Sequence, residues 1–189
     1  MFSFKLSKKT DFIPLDVLIP IIVFSEINFK EEYTPPLKFK LFFRNQMSFF
    51  WLPSAWFCGV RVDSLNNNSC TVRVKHNFLN KNPFNSLFWA VQGMAAEMPA
   101  GLLLQEKIKS SGHSIAMLLI GSNSNFTKKA VGKILFNYDE GKDLDKLVND
   151  AVVTKQAQTI ILKTNGIDEK GDVVSEFSFE WSIKLRSKK

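Results

Sequence analysis

Apolar and polar positions alternate with a period of two near the end of the chain. Val173, Phe177, Phe179, Trp181 and Ile183 fall on one side, Glu176, Glu180 and Lys184 on the other. That pattern predicts a half-buried strand over Val173–Lys184. A strand over Gln158–Thr164, with turns at Asn165-Gly166 and Lys170-Gly171, completes a hairpin. Earlier, Thr71–His76 alternates in the same way and pairs with Val60, Val62 and Leu65 across the turn Asn66-Asn67-Asn68. Ile115–Ile120 is an unbroken apolar run suited to a central strand, and Phe126–Tyr138 reads as a strand bent near Gly132. Between the last strands, Leu144, Leu147, Val148 and Ala151 share one side of a short helix over Asp143–Val153.

The segment from Asn82-Pro83-Phe84 to Leu104 follows neither period. It is apolar on every face and carries one charge, Glu97. A helix of that kind is wrapped either by protein or by lipid. Gly93, Pro99, Gly101 and several alanines make it weakly hydrophobic, and strands lie on both sides of it. It is therefore predicted as the filling of a sheet. In that setting Gln92 and Glu97 are polar groups in an apolar environment and need partners. The order of strand, strand, long helix and four strands with a short inserted helix predicts an α+β protein. Its antiparallel sheet of about six strands covers its apolar face with the single long helix.

Composition changes this picture only at the edges. With 189 residues and 45% apolar content, the chain has room for one sizeable core and some extra length. Pro14, Pro20, Pro35 and Pro36 interrupt the first 36 residues, and the run Val17–Phe24 is too short to span a bilayer. Residues 1–46 are expected to be an irregular leader and a short amphipathic helix (Leu37–Trp51), and 47–189 the main domain. The phenylalanines of that helix are expected to pack onto the domain; a peripheral membrane contact through Leu37–Trp51 is the weaker alternative reading. The net charge of +7 comes from scattered lysines without a recognition helix or zinc finger, so nucleic acid is not an expected partner. Cys58 and Cys70 lack metal-ligand spacing, and no His, Cys or Asp cluster implies a metal or other cofactor. There is no Gly-x-Ser-x-Gly elbow. The start lacks the apolar core of a signal peptide, and a cytoplasmic location is expected.

Several stretches carry a resemblance. They are Trp56-Phe57-Cys58-Gly59-Val60-Arg61-Val62, Asn82-Pro83-Phe84-Asn85-Ser86, Met94-Ala95-Ala96-Glu97, Phe126-Thr127-Lys128-Lys129-Ala130 and Phe179-Glu180-Trp181-Ser182. Together they resemble the hotdog-fold thioesterase superfamily, in an uncharacterised bacterial branch, over about residues 50–185. Gln92-Gly93-Met94-Ala95 is also similar to the Glu-Ala-Met-Ala stretch of hotdog hydroxyacyl dehydratases. The resemblance implies a homodimer or a tetramer of paired dimers, its sheets joined edge to edge. It also implies an acyl-CoA or acyl-carrier-protein substrate at the subunit interface, and hydrolysis of its thioester. The carbonyl would be polarised at the start of the central helix, here Pro83–Leu87, with Asn82, Asn85 and Ser86 as side-chain partners.

The acid that such enzymes place two turns into the helix corresponds here to Gln92. A glutamine orients water or a carbonyl but is neither base nor nucleophile. Glu97 lies five residues on, about 140° around the helix and ~7.5 Å along it. A lone acid in an apolar stretch is a candidate general base, because burial raises its pKa. His76, at a strand end, is a candidate near the helix mouth, and Lys128 a candidate for carrier phosphates. The alternative is a non-catalytic hotdog oligomer that binds acyl-CoA or a lipid-like ligand.

Overall fold

The computed structural model describes residues 37–186. The predicted irregular leader before Leu37 lies outside them. The elements are α1 (Leu37–Trp51), α2 (Pro53–Phe57), β1 (Arg61–Leu65), β2 (Cys70–Lys75), α3 (Trp89–Ser110), β3 (Ile115–Phe126), β4 (Lys133–Tyr138), α4 (Gly141–Thr154), β5 (Gln158–Ile167) and β6 (Val173–Leu185). All six strands form one antiparallel sheet in the order β1-β2-β4-β5-β6-β3. Its concave side holds α3, so the wrapped-helix architecture expected from the sequence is the one observed.

The period-two residues of β6 build that concave side. Phe177, Phe179, Trp181 and Ile183 are buried, as are Val72 and Val74 of β2 and Ile134 and Phe136 of β4. Against them α3 buries Val91, Ala95, Ala96, Met98, Leu103 and Leu104. Each large aliphatic or aromatic side chain removed from water here contributes about 1.5–3 kcal/mol. Pro99 stands inside α3, yet the helix continues to Ser110. The inserted helix α4 buries Leu144, Leu147, Val148 and Ala151 and ends at Lys155 in the left-handed conformation.

Four features differ from the sequence reading. The central helix starts at Trp89, not at Phe84, because the side chain of Asn82 takes up the N–H groups of Phe84 and Ser86 at 3.0 and 3.1 Å. Asn85 also adopts a left-handed φ of 56°, which breaks helical continuation. β3 runs on through Gly121–Phe126, paired in full with β6, although that stretch is mostly polar. Asn165-Gly166 lies inside β5 and is no turn. A Cβ on Gly166 would stand 2.6 Å from Ser175 Oγ and 2.8 Å from Phe136, so two strands approach closely there.

The fourth difference is one of facing. α1 occupies the predicted residues, but Phe39, Phe42, Phe43 and Phe50 are exposed instead of packed. The side turned to the domain carries Leu41, Arg44, Asn45 and Ser48, all half-buried. Arg44 pairs with Glu106 of α3 at 2.6 Å. Asn45 accepts from the N–H of Val62 at 2.8 Å and donates to its C=O at 2.9 Å. These polar bonds, and not burial of the aromatic residues, set the rotation of α1.

Candidate functional site

The start of α3 opens on a cleft of about 390 Å³. The loop before the helix supplies Asn82, Phe84 and Ser86, the first turn of α3 supplies Trp89 and Gln92, and the end of β3 with its following loop supplies Phe126–Ala130. The parts are tied together by backbone bonds: Leu87 N–H donates to Ala130 C=O at 2.8 Å and Phe88 N–H to Asn80 C=O at 2.9 Å. Asn80, only 2% exposed, accepts from Asn77 N–H and donates to the carbonyls of Cys58 and Lys75 at 2.9 Å each. One asparagine thus holds three segments in place beneath the cleft.

The helix N-terminus is uncapped. Phe88 at the N-cap makes no side-chain bond, and the N–H groups of Trp89 and Ala90 have no acceptor among the described residues. Free donors at the positive end of a helix dipole favour developing negative charge. One turn on, Gln92 is 4% exposed; its Nε2 donates to Leu87 C=O at 3.2 Å, and its Oε1 has no partner. The cleft therefore lies at the free N–H end of α3, with one unclaimed amide acceptor buried in its wall.

Asn82 and Ser86 line the cleft but bond chiefly to each other: Asn82 Nδ2 donates to Ser86 Oγ at 3.0 Å, and Asn82 N–H donates to Ser86 C=O at 2.8 Å. They shape the loop that presents α3. Asn85 is exposed and not among the lining residues. His76 is half-buried outside the cleft; its N–H donates to Gly132 C=O, and its Nε2 is buried without a partner. Lys128 lines the cleft, but its ammonium is held by Asp168 at 2.8 Å and Asp172 at 2.5 Å. The hydrogen bond from Lys128 holds the Asp168 carboxyl at about 2, well below the usual range. Lys129 makes no ion pair among the described residues and donates to Phe84 C=O at 3.3 Å.

Glu97 is elsewhere. It opens on a second, apolar cleft of about 180 Å³ with Trp51, Leu52, Met94 and Met98. It has no hydrogen bond or ion pair among the described residues, and burial pushes its pKa up. A Cβ on Gly101 would stand 3.5 Å from both Glu97 Oε1 and Trp181, so glycine leaves room beside this carboxylate. Gln92 and Glu97 are thus not brought together within one chain. Burial also raises the Cys70 thiol to about 12, which suits an inert core residue. Among the described residues no three His, Cys, Asp or Glu side chains are grouped to hold a metal.

Residues 39–183 match a family described as a domain of unknown function, DUF4442. The chain belongs to the DUF4442 family. No curated protein sequence matches it. Among solved structures, this DUF4442 chain is similar to a protein of unknown function from Pseudomonas aeruginosa, named a probable thioesterase. The two share 17% identity and a TM-score of 0.68, over 82% of this chain and 100% of the other. It is also similar to a thioesterase from Haemophilus influenzae, with 13% identity, a TM-score of 0.54, and 84% and 96% of the two chains covered. A third is a glutamine-to-alanine mutant of a Pseudomonas aeruginosa thioesterase, with 13% identity, a TM-score of 0.57, and 82% and 98% covered. The fold is the hotdog fold that these proteins share.

Trp89, Phe126 and Thr127 did not stand out in the sequence as site residues of the DUF4442 chain. Phe126-Thr127-Lys128-Lys129-Ala130 was visible as a motif, but which of its lysines is free depends on Asp168 and Asp172, some 40 residues away.

Proposed function

We propose that this DUF4442 protein is an acyl-thioester hydrolase acting on acyl-CoA or acyl-carrier-protein. The observation that carries the reading is the cleft at the start of α3, with free N–H groups on Trp89 and Ala90 and the unpaired Oε1 of Gln92. A thioester carbonyl seated there accepts from the helix N–H groups, which stabilise the oxyanion as it forms. Gln92 Oε1, buried in the cleft wall, accepts a hydrogen bond from the attacking water once the side chain turns toward it, and orients that water. An amide does not take up the proton, so a base is required as well. Glu97, with its raised pKa, fits that role chemically. Because it opens on the other side of α3, it has to reach the cleft from a second copy of the chain. The long unpaired edge of β3, with Leu118 and Ile120 exposed, is the edge through which two copies would pair in a homodimer. Phe126 at the end of that strand lines the cleft, which puts the cleft beside such a seam. Lys129 is the cation available for carrier phosphates.

A second reading is binding of an acyl thioester without turnover, because no carboxylate or imidazole lines the cleft. Hydrolysis measured across acyl-CoA chain lengths separates the two. Turnover that falls in Gln92→Ala and Glu97→Gln supports the hydrolase. Tight binding with no turnover supports the binding protein.

A further inference from the structure

α1 is amphipathic in reverse. Its polar side is fastened to the domain by Arg44 and Asn45, and its opposite side shows solvent a stripe of phenylalanines. Phe39, Phe42, Phe43 and Phe50 are 54, 60, 48 and 60% exposed, and Trp51 at the end of the helix is 80% exposed. Phe39, Phe42, Phe43, Gln46 and Phe50 recur at spacings of three and four, the signature of one helix face. Exposing so much aromatic surface is unfavourable in water, and a contiguous patch of this kind marks a contact surface.

Charge decides between partners. α1 contains no acidic residue, and the exposed Lys38 and Lys40 stand beside the stripe without an ion pair among the described residues. The acid bonded to α1, Glu106, is already neutralised by Arg44. A helix with aromatic residues on its outer face, lysines at its flank and tryptophan at its end has the pattern of one lying in the interface of an anionic bilayer. The lysine stems reach up to headgroup phosphates while the phenyl rings enter the acyl boundary.

We propose that α1 docks the protein on anionic membrane surfaces through the Phe42–Phe50 stripe and Lys38 and Lys40. The stripe lies on the β1 side of the sheet, at the opposite end from β3.

The test is co-sedimentation of the full chain with vesicles of phosphatidylcholine alone and of phosphatidylcholine with phosphatidylglycerol. Binding is expected on the anionic vesicles and is expected to weaken as salt is raised. F42S/F50S is expected to lower partitioning about tenfold or more, given the apolar area removed. K38Q/K40Q is expected to lower it about 25-fold at low salt, from the usual attraction per basic residue. Both sets of positions are exposed, and circular dichroism reports that each variant stays folded. The proposal is overturned by absence of binding to anionic vesicles, by equal binding to neutral ones, or by full retention in either variant. It is also overturned if F42S/F50S instead dissolves a larger assembly, since a second copy would then cover the stripe.

Discussion

Gln92 Nε2 donates to the carbonyl oxygen of Leu87 at 3.2 Å, which fixes the amide so that Oε1 is the atom left unpaired among the described residues, buried in the cleft wall. Only the NH₂ end can donate to a carbonyl, so the orientation follows from chemistry. Gln92→Ala removes the acceptor and leaves the helix N–H groups in place. In an acyl-CoA hydrolysis assay kcat should fall about 100-fold with KM little changed, the pattern of an interaction made in the transition state.

Glu97 gives a pH signature. Burial raises its folded pKa above the unfolded value of 4.5, so the protein takes up its penalty as the group ionises. The stability linked to its neutral form is fully present below pH 4.5 and is lost as pH rises through the raised folded value. Glu97→Gln should therefore melt higher than the wild type at pH 7 to 8, with the difference vanishing near pH 4, as read by thermal denaturation. In the same variant the acidic limb of the pH-rate profile should disappear, with kcat down about 10²–10⁴-fold.

If amide and carboxylate come from different copies, two inactive variants should rescue each other. Gln92→Ala and Glu97→Gln, mixed and allowed to exchange subunits, form heterodimers with one intact site and one doubly altered site. Activity should return to about one quarter of the wild type in a statistical mixture. No recovery after verified exchange would count against the shared site.

Lys128 and Lys129 should behave differently despite adjacent positions. Lys129 is free of ion pairs among the described residues, whereas Lys128 sits between two aspartates. Lys129→Ala should raise KM for acyl-CoA about 5–10-fold in low salt, an effect that fades as screening increases. Lys128→Ala should leave KM near the wild-type value.

Asn80→Ala would strip the partner from the carbonyl of Cys58 and the N–H of Asn77, while the carbonyl of Lys75 keeps its bond from Asn77 Nδ2. Leaving such groups unsatisfied in a buried site costs about 2–3 kcal/mol. Urea unfolding should show that loss with an unchanged m-value.

The sequence made the sheet legible because β6 and β2 each bury one face, and a two-residue period follows directly from that. It also exposed Gln92 and Glu97, as polar groups in an apolar helix must be accounted for. What it hid were effects of side chains acting on distant backbone. The start of α3 moved from Phe84 to Trp89 because Asn82 captured N–H groups that helix composition alone would assign to the first turn. Gly121–Asn125 fell between the two strands that the apolar pattern predicts, yet β6 pairs with its backbone whatever its side chains are. The rotation of α1 reversed for a similar reason: bonds from Arg44 and Asn45 outweighed the tendency of phenylalanine to turn inward.

Those bonds from Asn45 have one more effect. The N–H and C=O of Val62 face away from β2, and the asparagine amide occupies both as a neighbouring strand would. With the bulge between Val62 and Ser64 beside it, this margin of the sheet is a finished border. The opposite margin, twelve residues of β3, has no strand paired to it among the described residues. A sheet that can be extended at one side only stops growing once a two-fold mate is added, because each newcomer brings its own sealed border. In a dimer joined through β3, Asn45 would therefore act as a chain terminator in the polymer sense, separating a countable assembly from an endless ribbon.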